Sequence, residues 1–173
     1  MSAVSADQVL AFYQRAAVNM ADLPLYNPAL TVELVGWQPL RKRDGSPIQL
    51  GILITPWCMN VWVGGIDTEQ LVGSNWALET AAGEFSLTLA RDDGLGFYAS
   101  GSLISMMGQF DSMTAARSYA EEVLTALLGG ADAGSAQADA PLTPVPADSG
   151  KAPVMTRRGF LSAFRGAQDG ANP

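Results

Sequence analysis

The sequence predicts an α+β domain in which an N-terminal and a C-terminal helix pack on one face of an antiparallel β-sheet, followed by a flexible C-terminal tail. Apolar residues recur at helical spacing near both ends of the first 130 residues, and short segments between them alternate apolar and polar residues. After Gly129 large apolar residues become rare, so the rest of the chain has little with which to form a core.

The first helix is predicted from the residue after Ser5 to about Met20. Ser5 and Gln8 have the spacing of a capping box, in which the two side chains satisfy free backbone donors at a helix start. Pro24 and Pro28 end the helical pattern. The apolar face that we expect on this helix comprises Leu10, Tyr13, Ala17 and Met20.

Extended segments follow this helix. Residues 31–37 predict a strand, "RKRDGSP" predicts a solvated turn, and "IQLGILITPW" predicts a second strand that Pro56 interrupts. The segment "MNVWVGG" resumes the extended pattern. From Glu84, "EFSLTLA" alternates strictly, and "DDGLG" turns the chain into "FYASGSLIS", so we expect an antiparallel hairpin with one solvated face.

The second helix is predicted at residues 113–128. Glu121 and Glu122 lie on its outer face, and Gly129 and Gly130 end it. Its apolar face comprises Ala116, Ala120, Val123 and Leu127.

The chain divides into a domain at 1–130, a linker at 131–154 and a tail motif at 155–173. Ala, Asp, Gly, Ser and Pro dominate the linker, so we expect it to be disordered, because little apolar burial is available to offset the entropy of ordering. The tail contains "TRRGFL", which has the pattern of a twin-arginine export signal, but the stretch to Gly166 is followed by the polar residues 167–173 instead of an apolar run. The residues of the tail motif are Arg157, Arg158, Phe160, Leu161 and Phe164.

The composition argues against several kinds of chemistry. Histidine is absent and Cys58 is the only cysteine, which removes Ser-His-Asp and Cys-His catalysis and the usual ligands of zinc, haem and iron-sulfur clusters. We therefore expect no enzyme, no cofactor and no metal site. For Asp92 and Asp93, the nearby Gly94 and Gly96 favour a turn over a metal site.

The net charge bears on the class of partner. A formal charge of −7 disfavours nonspecific nucleic-acid binding, which needs clustered Lys and Arg, and favours a partner that presents positive charge. No apolar run approaches the roughly 18 residues that span a membrane. The sequence therefore predicts a cytoplasmic protein without direct membrane insertion.

Four sequence blocks carry a resemblance to a known family. "NPALTVELVGW", "LGILITPWCMNV", "EFSLTLARDDGLGFYASGSLISMM" and "TRRGFLSAFRG", in this order, resemble the HybE family of [NiFe]-hydrogenase assembly chaperones. The most specific part is "ITPW" combined with "GLGFY", "SLISMM" and the terminal Arg-Arg motif. The sequence departs from the family pattern at Cys58, which we interpret as a small buried side chain rather than a redox centre. It also lacks the rubredoxin-like cysteine pairs of some relatives.

The resemblance implies an assembly chaperone for the hydrogenase small subunit. It would bind the small-subunit precursor at or near its twin-arginine signal and delay export until cofactor insertion, with other hydrogenase maturation proteins as further partners.

Binding such a signal requires carboxylates beside an apolar groove, because guanidinium groups need paired acceptors and flanking apolar residues need burial. The candidate binding residues are Trp57, Met59, Trp62, Tyr98, Met106 and Met107, with Asp92 and Asp93 as acids. Burial of each Trp and Met in the core is the alternative for these side chains.

Two other functions stay open at this point. A small-ligand or cofactor-carrying module would suit the apolar strands, and a carboxylate-based enzyme would need two acids that converge in a pocket. For the tail, we hypothesise that "TRRGFL" imitates the signal of the client and occupies the recognition groove when no client is present.

Overall fold

The computed structural model describes residues 3–129 of the chain, so the expected linker and the tail motif lie outside the described residues. The helices are α1 (Ala6–Met20) and α2 (Met113–Leu128), and Met107–Gln109 forms a short 3₁₀ turn. The strands are β1 (Glu33–Arg41), β2 (Pro47–Ile54), β3 (Met59–Gly64), β4 (Asn75–Thr80), β5 (Gly83–Asp92) and β6 (Gly96–Ile104). The predicted α+β class with an antiparallel sheet and two terminal helices is confirmed.

All six strands form one antiparallel sheet in the order β1-β2-β3-β6-β5-β4. Strand β4 was not predicted, although Trp76 and Leu78 are buried and alternate with exposed neighbours. The first strand begins at Glu33 and runs to Arg41, four residues beyond its predicted end, because its pairing with β2 continues to the hairpin turn at Arg41 and Pro47.

The capping box is confirmed at the start of α1. The Ser5 backbone N–H donates to Gln8 Oε1 at 2.9 Å, and the Gln8 backbone N–H donates to Ser5 Oγ at 3.2 Å. Val9 is the buried residue of this helix, and Phe12 and Tyr13 pack beside it. Tyr13 of the predicted face packs in this core, but Val9 rather than Leu10 is the fully buried position of the helix. The predicted face of α2 is confirmed, since Ala116, Ala120, Val123 and Leu127 are all buried.

The two helices cover opposite faces of the sheet, which corrects the prediction that both pack on one face. On β2, Ile52 belongs to the large core with α2, whereas the next residue, Leu53, belongs to the smaller core with Val9 of α1. On β3, Trp62 likewise points away from its neighbour Val61. Because these central strands carry apolar residues at successive positions, both of their faces need a cover.

The sheet curls, so that the β1–β2 hairpin approaches the opposite edge strand β4. Arg43 Nε lies 2.9 Å from Glu79 Oε2, and Lys42 Nζ lies 5.8 Å from the centre of the Trp76 ring. The end of α2 contacts the same region, since the Ala81 backbone N–H donates to the Leu127 carbonyl at 3.0 Å. Among residues 3–129, no helix has the length and apolar character to span a membrane.

Candidate functional site

Three loops meet at one end of the curled sheet: residues 21–32 after α1, residues 55–58 between β2 and β3, and residues 105–112 between β6 and α2. They meet because the sheet brings their strands together, with Ile54 paired to Met59 and Met59 paired to Ile104. We refer to these three loops as the loop end. The "ITPW" block and the end of the "SLISMM" block, which carried the family resemblance, both lie here.

Asn27 links the three loops. Its side-chain Nδ2 donates to the carbonyl oxygens of Met107 and Phe110, both at 2.9 Å, and its backbone N–H donates to the Pro56 carbonyl at 2.8 Å. Its Oδ1 accepts from the Ala29 backbone N–H at 3.0 Å. One side chain therefore satisfies polar groups of two loops while its backbone bonds to the third.

The turn between β2 and β3 is held by Thr55. Its Oγ1 accepts from the Cys58 backbone N–H at 2.9 Å and donates to the Cys58 carbonyl at 2.8 Å. This turn presents Trp57, whose ring stacks on Tyr26 with centroids 6.4 Å apart and planes inclined by 25°. Cys58 is half-buried rather than fully buried as predicted, and burial raises the pKa of its thiol, which favours the protonated form.

A cavity of about 410 Å³ opens at the loop end beside Asn27. Met106 is 79% exposed and Leu25 is 48% exposed, although both are large apolar side chains. Among the described residues that line the cavity, Asp111 alone carries a charge. The side chains that form its walls include Pro24, Leu25, Met106, Met107, Phe110 and Asp111. The cavity can therefore take apolar groups next to a positive charge.

The structure brings only part of the predicted binding set to the loop end. Trp57 is half-buried there and Met106 is exposed. Met59 and Met107 also lie at this end, but both are fully buried in the core that α2 covers. For these two side chains the structure shows the alternative of core packing.

Trp62 and Tyr98 lie under α1, on the other face of the sheet. Their rings stack with centroids 5.0 Å apart, and Trp62 Nε1 donates to the Tyr13 hydroxyl at 3.2 Å. Burial raises the pKa of Tyr13 to about 12, and burial followed by the nearby Asp92 raises the pKa of Tyr98. Both phenols are therefore neutral at physiological pH and hold α1 on the sheet.

Asp92 is the last residue of β5 and Asp93 begins the turn to β6, and Asp92 Oδ1 accepts from the Gly94 backbone N–H at 2.8 Å. Met106 follows the opposite end of β6, which is about 30 Å long for a nine-residue strand. The predicted acids and the predicted methionines are thus not brought together. No group of three potential metal ligands occurs in the part of the chain that the structure describes.

Sequence reasoning predicted Met106 and Met107 but missed Asp111 and Leu25, which line the same cavity. Asp111 stands immediately before Ser112, whose side chain caps α2, and the acid could have been noticed as a neighbour of the "SLISMM" block. Leu25 lies in "LPLYNP", which was interpreted only as a helix stop. The missing information was the contact that Asn27 makes between two segments 80 residues apart.

Two larger cavities lie elsewhere on the domain. One, of about 530 Å³, is lined by Arg41, Lys42 and Arg43 at the β1–β2 hairpin. The other, of about 560 Å³, includes Lys42 and Arg91 in its walls. Asp44 and Glu79 also line the first and Asp67 also lines the second, but cationic side chains outnumber acidic ones in both, so both suit an arginine-bearing ligand less well than the cavity beside Asp111.

Comparison with known families identifies the chain. Residues 5–163 match the family described as "[NiFe]-hydrogenase assembly, chaperone, HybE". The chain belongs to the HybE family. It is therefore a hydrogenase assembly chaperone, and the matched region includes Arg157 and Arg158 of the tail motif.

Relatives and a solved structure agree with the HybE assignment. The chain is 39% identical over 168 residues to the hydrogenase expression/formation protein HoxT of Azotobacter vinelandii. The aligned region covers 96% of this chain and 97% of that protein. It is 43% identical over 122 residues to HupT of Azotobacter chroococcum, covering 69% and 79% respectively. The solution structure of HybE from Escherichia coli has the same fold, with a TM-score of 0.55 and 22% identity over 82% of this chain and 90% of that one.

Proposed function

We propose that this HybE-family chaperone acts in the cytoplasm, where it binds the small-subunit precursor of a [NiFe] hydrogenase at or near its twin-arginine signal. Binding delays export until cofactor insertion is complete. The observation that carries the proposal is the loop-end cavity, in which exposed Met106 and Leu25 lie next to the Asp111 carboxylate.

The chemistry of this cavity matches that of the signal. A twin-arginine signal places two guanidinium groups beside a Phe-Leu pair. The carboxylate of Asp111 can accept from a guanidinium, while the Met106 thioether and the Leu25 side chain offer adaptable apolar contacts to the aromatic ring. A methionine wall also suits a chaperone that must accept signals of varied sequence, because this unbranched side chain adjusts to different partners.

Charge also supports a basic ligand at this end. The chain carries a formal charge of −7, which favours approach of a basic segment. The positive side chains of the β1–β2 hairpin are partly compensated, since Lys42 Nζ lies 3.0 Å from Asp44 Oδ2 and Arg43 pairs with Glu79 at 2.9 Å. At the loop end, Asp111 lines the cavity without a basic residue in the described wall.

Export is delayed for as long as the signal occupies the loop-end cavity. A signal whose arginines and apolar residues are held in the cavity cannot contact the export machinery at the same time. The delay is then set by the dissociation rate, which in related complexes varies more than the association rate. Release becomes favourable when the client folds around its cofactors and withdraws any further contacts that the unfolded precursor makes.

The test compares binding of the signal-bearing precursor and the mature subunit by calorimetry. We expect Met106→Ser to weaken precursor binding by roughly 10-fold or more, because burying a methionine side chain is worth about 1.5–3 kcal/mol. Asp111→Asn should also weaken it, by loss of a charge-assisted hydrogen bond. The matched control is Leu71→Ser, since Leu71 is 82% exposed on the loop between β3 and β4 and lies outside the cavity. Equal binding of precursor and mature subunit would refute recognition of the signal.

A further inference from the structure

We propose that residues 156–165 of this same chain, which include all the named residues of the tail motif, occupy the loop-end cavity when no client is bound. Phe160 and Leu161 would contact Met106 and Leu25, and the tail arginines would approach Asp111. The inference rests on the proposed function in one respect, that the cavity is also the site for the client signal. The tail is then a competitor of the client, built into the chaperone.

The cavity has the features of a surface that is covered part of the time. Met106 and Leu25 are exposed by 79% and 48% in the described domain, and Leu23 on the same loop is exposed by 40%. Contiguous apolar exposure of this kind marks an interaction site more often than it marks ordinary surface. A covering segment must therefore be apolar on the side that faces Met106.

The positive charges of the tail motif favour the loop-end cavity over the two larger cavities. Residues 156–165 contain three of the ten Lys and Arg residues of the chain, Arg157, Arg158 and Arg165. The two larger cavities suit these arginines less well, because cationic side chains outnumber acidic ones in both walls: Arg41, Lys42 and Arg43 against Asp44 and Glu79 in one, and Lys42 and Arg91 against Asp67 in the other. Asp111 is the charged group in the described wall of the loop-end cavity.

The position where the described chain stops allows the tail to reach the cavity. Helix α2 begins two residues after Asp111 and ends at Leu128, so Gly129 lies one helix length from the cavity, or about 24 Å for sixteen residues. A flexible linker of about 25 residues has a root-mean-square span of roughly 25–30 Å. The expected linker at 131–154 therefore matches the distance, and the effective concentration of a tethered ligand is highest under this condition.

The spacing inside the motif also fits a one-sided contact. The residues Arg157, Phe160, Leu161 and Phe164 follow at i, i+3, i+4 and i+7, which is the spacing of one helical face. A ten-residue helix is marginal alone in water, so a helical form would gain its order from docking. An extended form would still place Phe160 and Leu161 next to the two arginines, as in the client signal.

The expected size of the competition follows from the tether. At an effective concentration on the order of 1 mM, a segment with an intrinsic dissociation constant of roughly 100 µM occupies the cavity about 90% of the time. The apparent affinity for a client signal is then reduced about tenfold, because the client binds only the open fraction. A better ligand displaces the tail without any further conformational change.

The experiment uses the full chain with Arg157→Ala and Arg158→Ala together, and Lys151→Ala in the same tail as the matched control. Binding of a synthetic twin-arginine signal peptide is measured by calorimetry. We expect about tenfold tighter binding by the double variant and no change for Lys151→Ala. Weaker binding by the double variant would overturn the proposal, because the tail would then be an additional contact for the client.

A second measurement needs no client and separates this proposal from the proposed function. The methyl resonance of Met106, recorded with ¹³C-labelled methionine, should differ between the wild-type chain and the double variant and should not differ for Lys151→Ala. If Met106 responds in this way but the signal peptide binds neither chain, the tail docks and recognition of the signal is refuted. An identical Met106 resonance in all three chains, or a shift that depends on protein concentration, would overturn docking of the tail on its own domain.

Discussion

The side-chain amide of Asn27 donates to the carbonyl oxygens of Met107 and Phe110, both 2.9 Å away, although Asn27 precedes them by 80 and 83 residues. The two carbonyls belong to the loop that presents Met106, and the Asn27 backbone bonds to Pro56. This one residue therefore sets the relative position of the three loops that form the loop-end cavity.

Replacing Asn27 by Asp should destabilise the domain by about 2 kcal/mol or more. The substitution removes both donors and places a carboxylate against two carbonyl oxygens, which leaves partly buried acceptors without a partner. Urea denaturation measures the change. The matched control is Asn75→Asp at the exposed start of β4, for which we expect a change within about 0.5 kcal/mol. Equal effects of the two substitutions would contradict a linking role for Asn27.

A side chain at Gly36 should destabilise the domain. Its φ is +65°, and an added Cβ would overlap Leu124 Cδ2 of α2. We expect Gly36→Ala to cost about 1–2 kcal/mol for the backbone conformation and a further 1–3 kcal/mol for overpacking, measured by urea denaturation.

Gly45 supplies the control for this prediction, because its φ is +85° but its added Cβ would have no atom within 4 Å. Gly45→Ala should therefore show the backbone cost alone. The two substitutions would lower the free energy of unfolding equally if contact with Leu124 were unimportant. In a double variant with Gly36→Ala and Leu124→Ala, the loss of free energy of unfolding should be smaller than the sum of the two single losses.

The ion pair of Glu33 and Arg117 should make stability depend on pH in the acid range. Arg117 Nε donates to Glu33 Oε1 at 2.6 Å and Nη2 donates to Oε2 at 2.8 Å, and these hydrogen bonds lower the pKa of Glu33. Because the pKa is depressed in the folded state, the stabilisation is complete above the ordinary value of 4.5 and is lost as pH falls through the folded pKa.

A double-mutant cycle with Glu33→Gln and Arg117→Gln should give a favourable coupling at pH 7 that is limited by solvent screening, since the side chains are 33% and 42% exposed. The coupling should decrease as the pH falls below the ordinary pKa of 4.5 for a glutamate. The control pair is Arg43 and Glu79, which is 87% and 50% exposed and should couple more weakly. A Glu33–Arg117 coupling that stays constant from pH 7 to pH 2 would rule out this account.

Local pattern was enough to predict most of the elements. Three confirmed features depend only on residues that are close together in the sequence: the capping box at Ser5 and Gln8, the α2 face with Ala116, and the alternating strand through Phe85. Strand β4 was missed because its six residues place three successive apolar side chains, Trp76 to Leu78, between Asn75 and Glu79, and so short a run does not alternate clearly enough to distinguish a strand from a loop.

The candidate site was predictable only in part. Trp57 and Met106 were predicted from sequence and lie at the loop end, whereas Asp92 and Asp93 lie at the far end of β6. Residue types indicated that a site should contain aromatic, methionine and acidic side chains. They carried no information on which acid stands beside which methionine, because that depends on the pairing order of strands distant in sequence.

The amino-acid order alone established the class of elements, their order along the chain and the family, since periodicity, capping and motif order are local or linear properties. Tertiary packing decided that α1 and α2 cover opposite faces and that Trp62 is a core residue. It also decided that Asp111 rather than Asp92 stands beside Met106. The physical reason is that burial and hydrogen bonding join segments that are distant in sequence, as the bond from Asn27 to Met107 does. The local pattern of one segment does not specify which other segment it will contact.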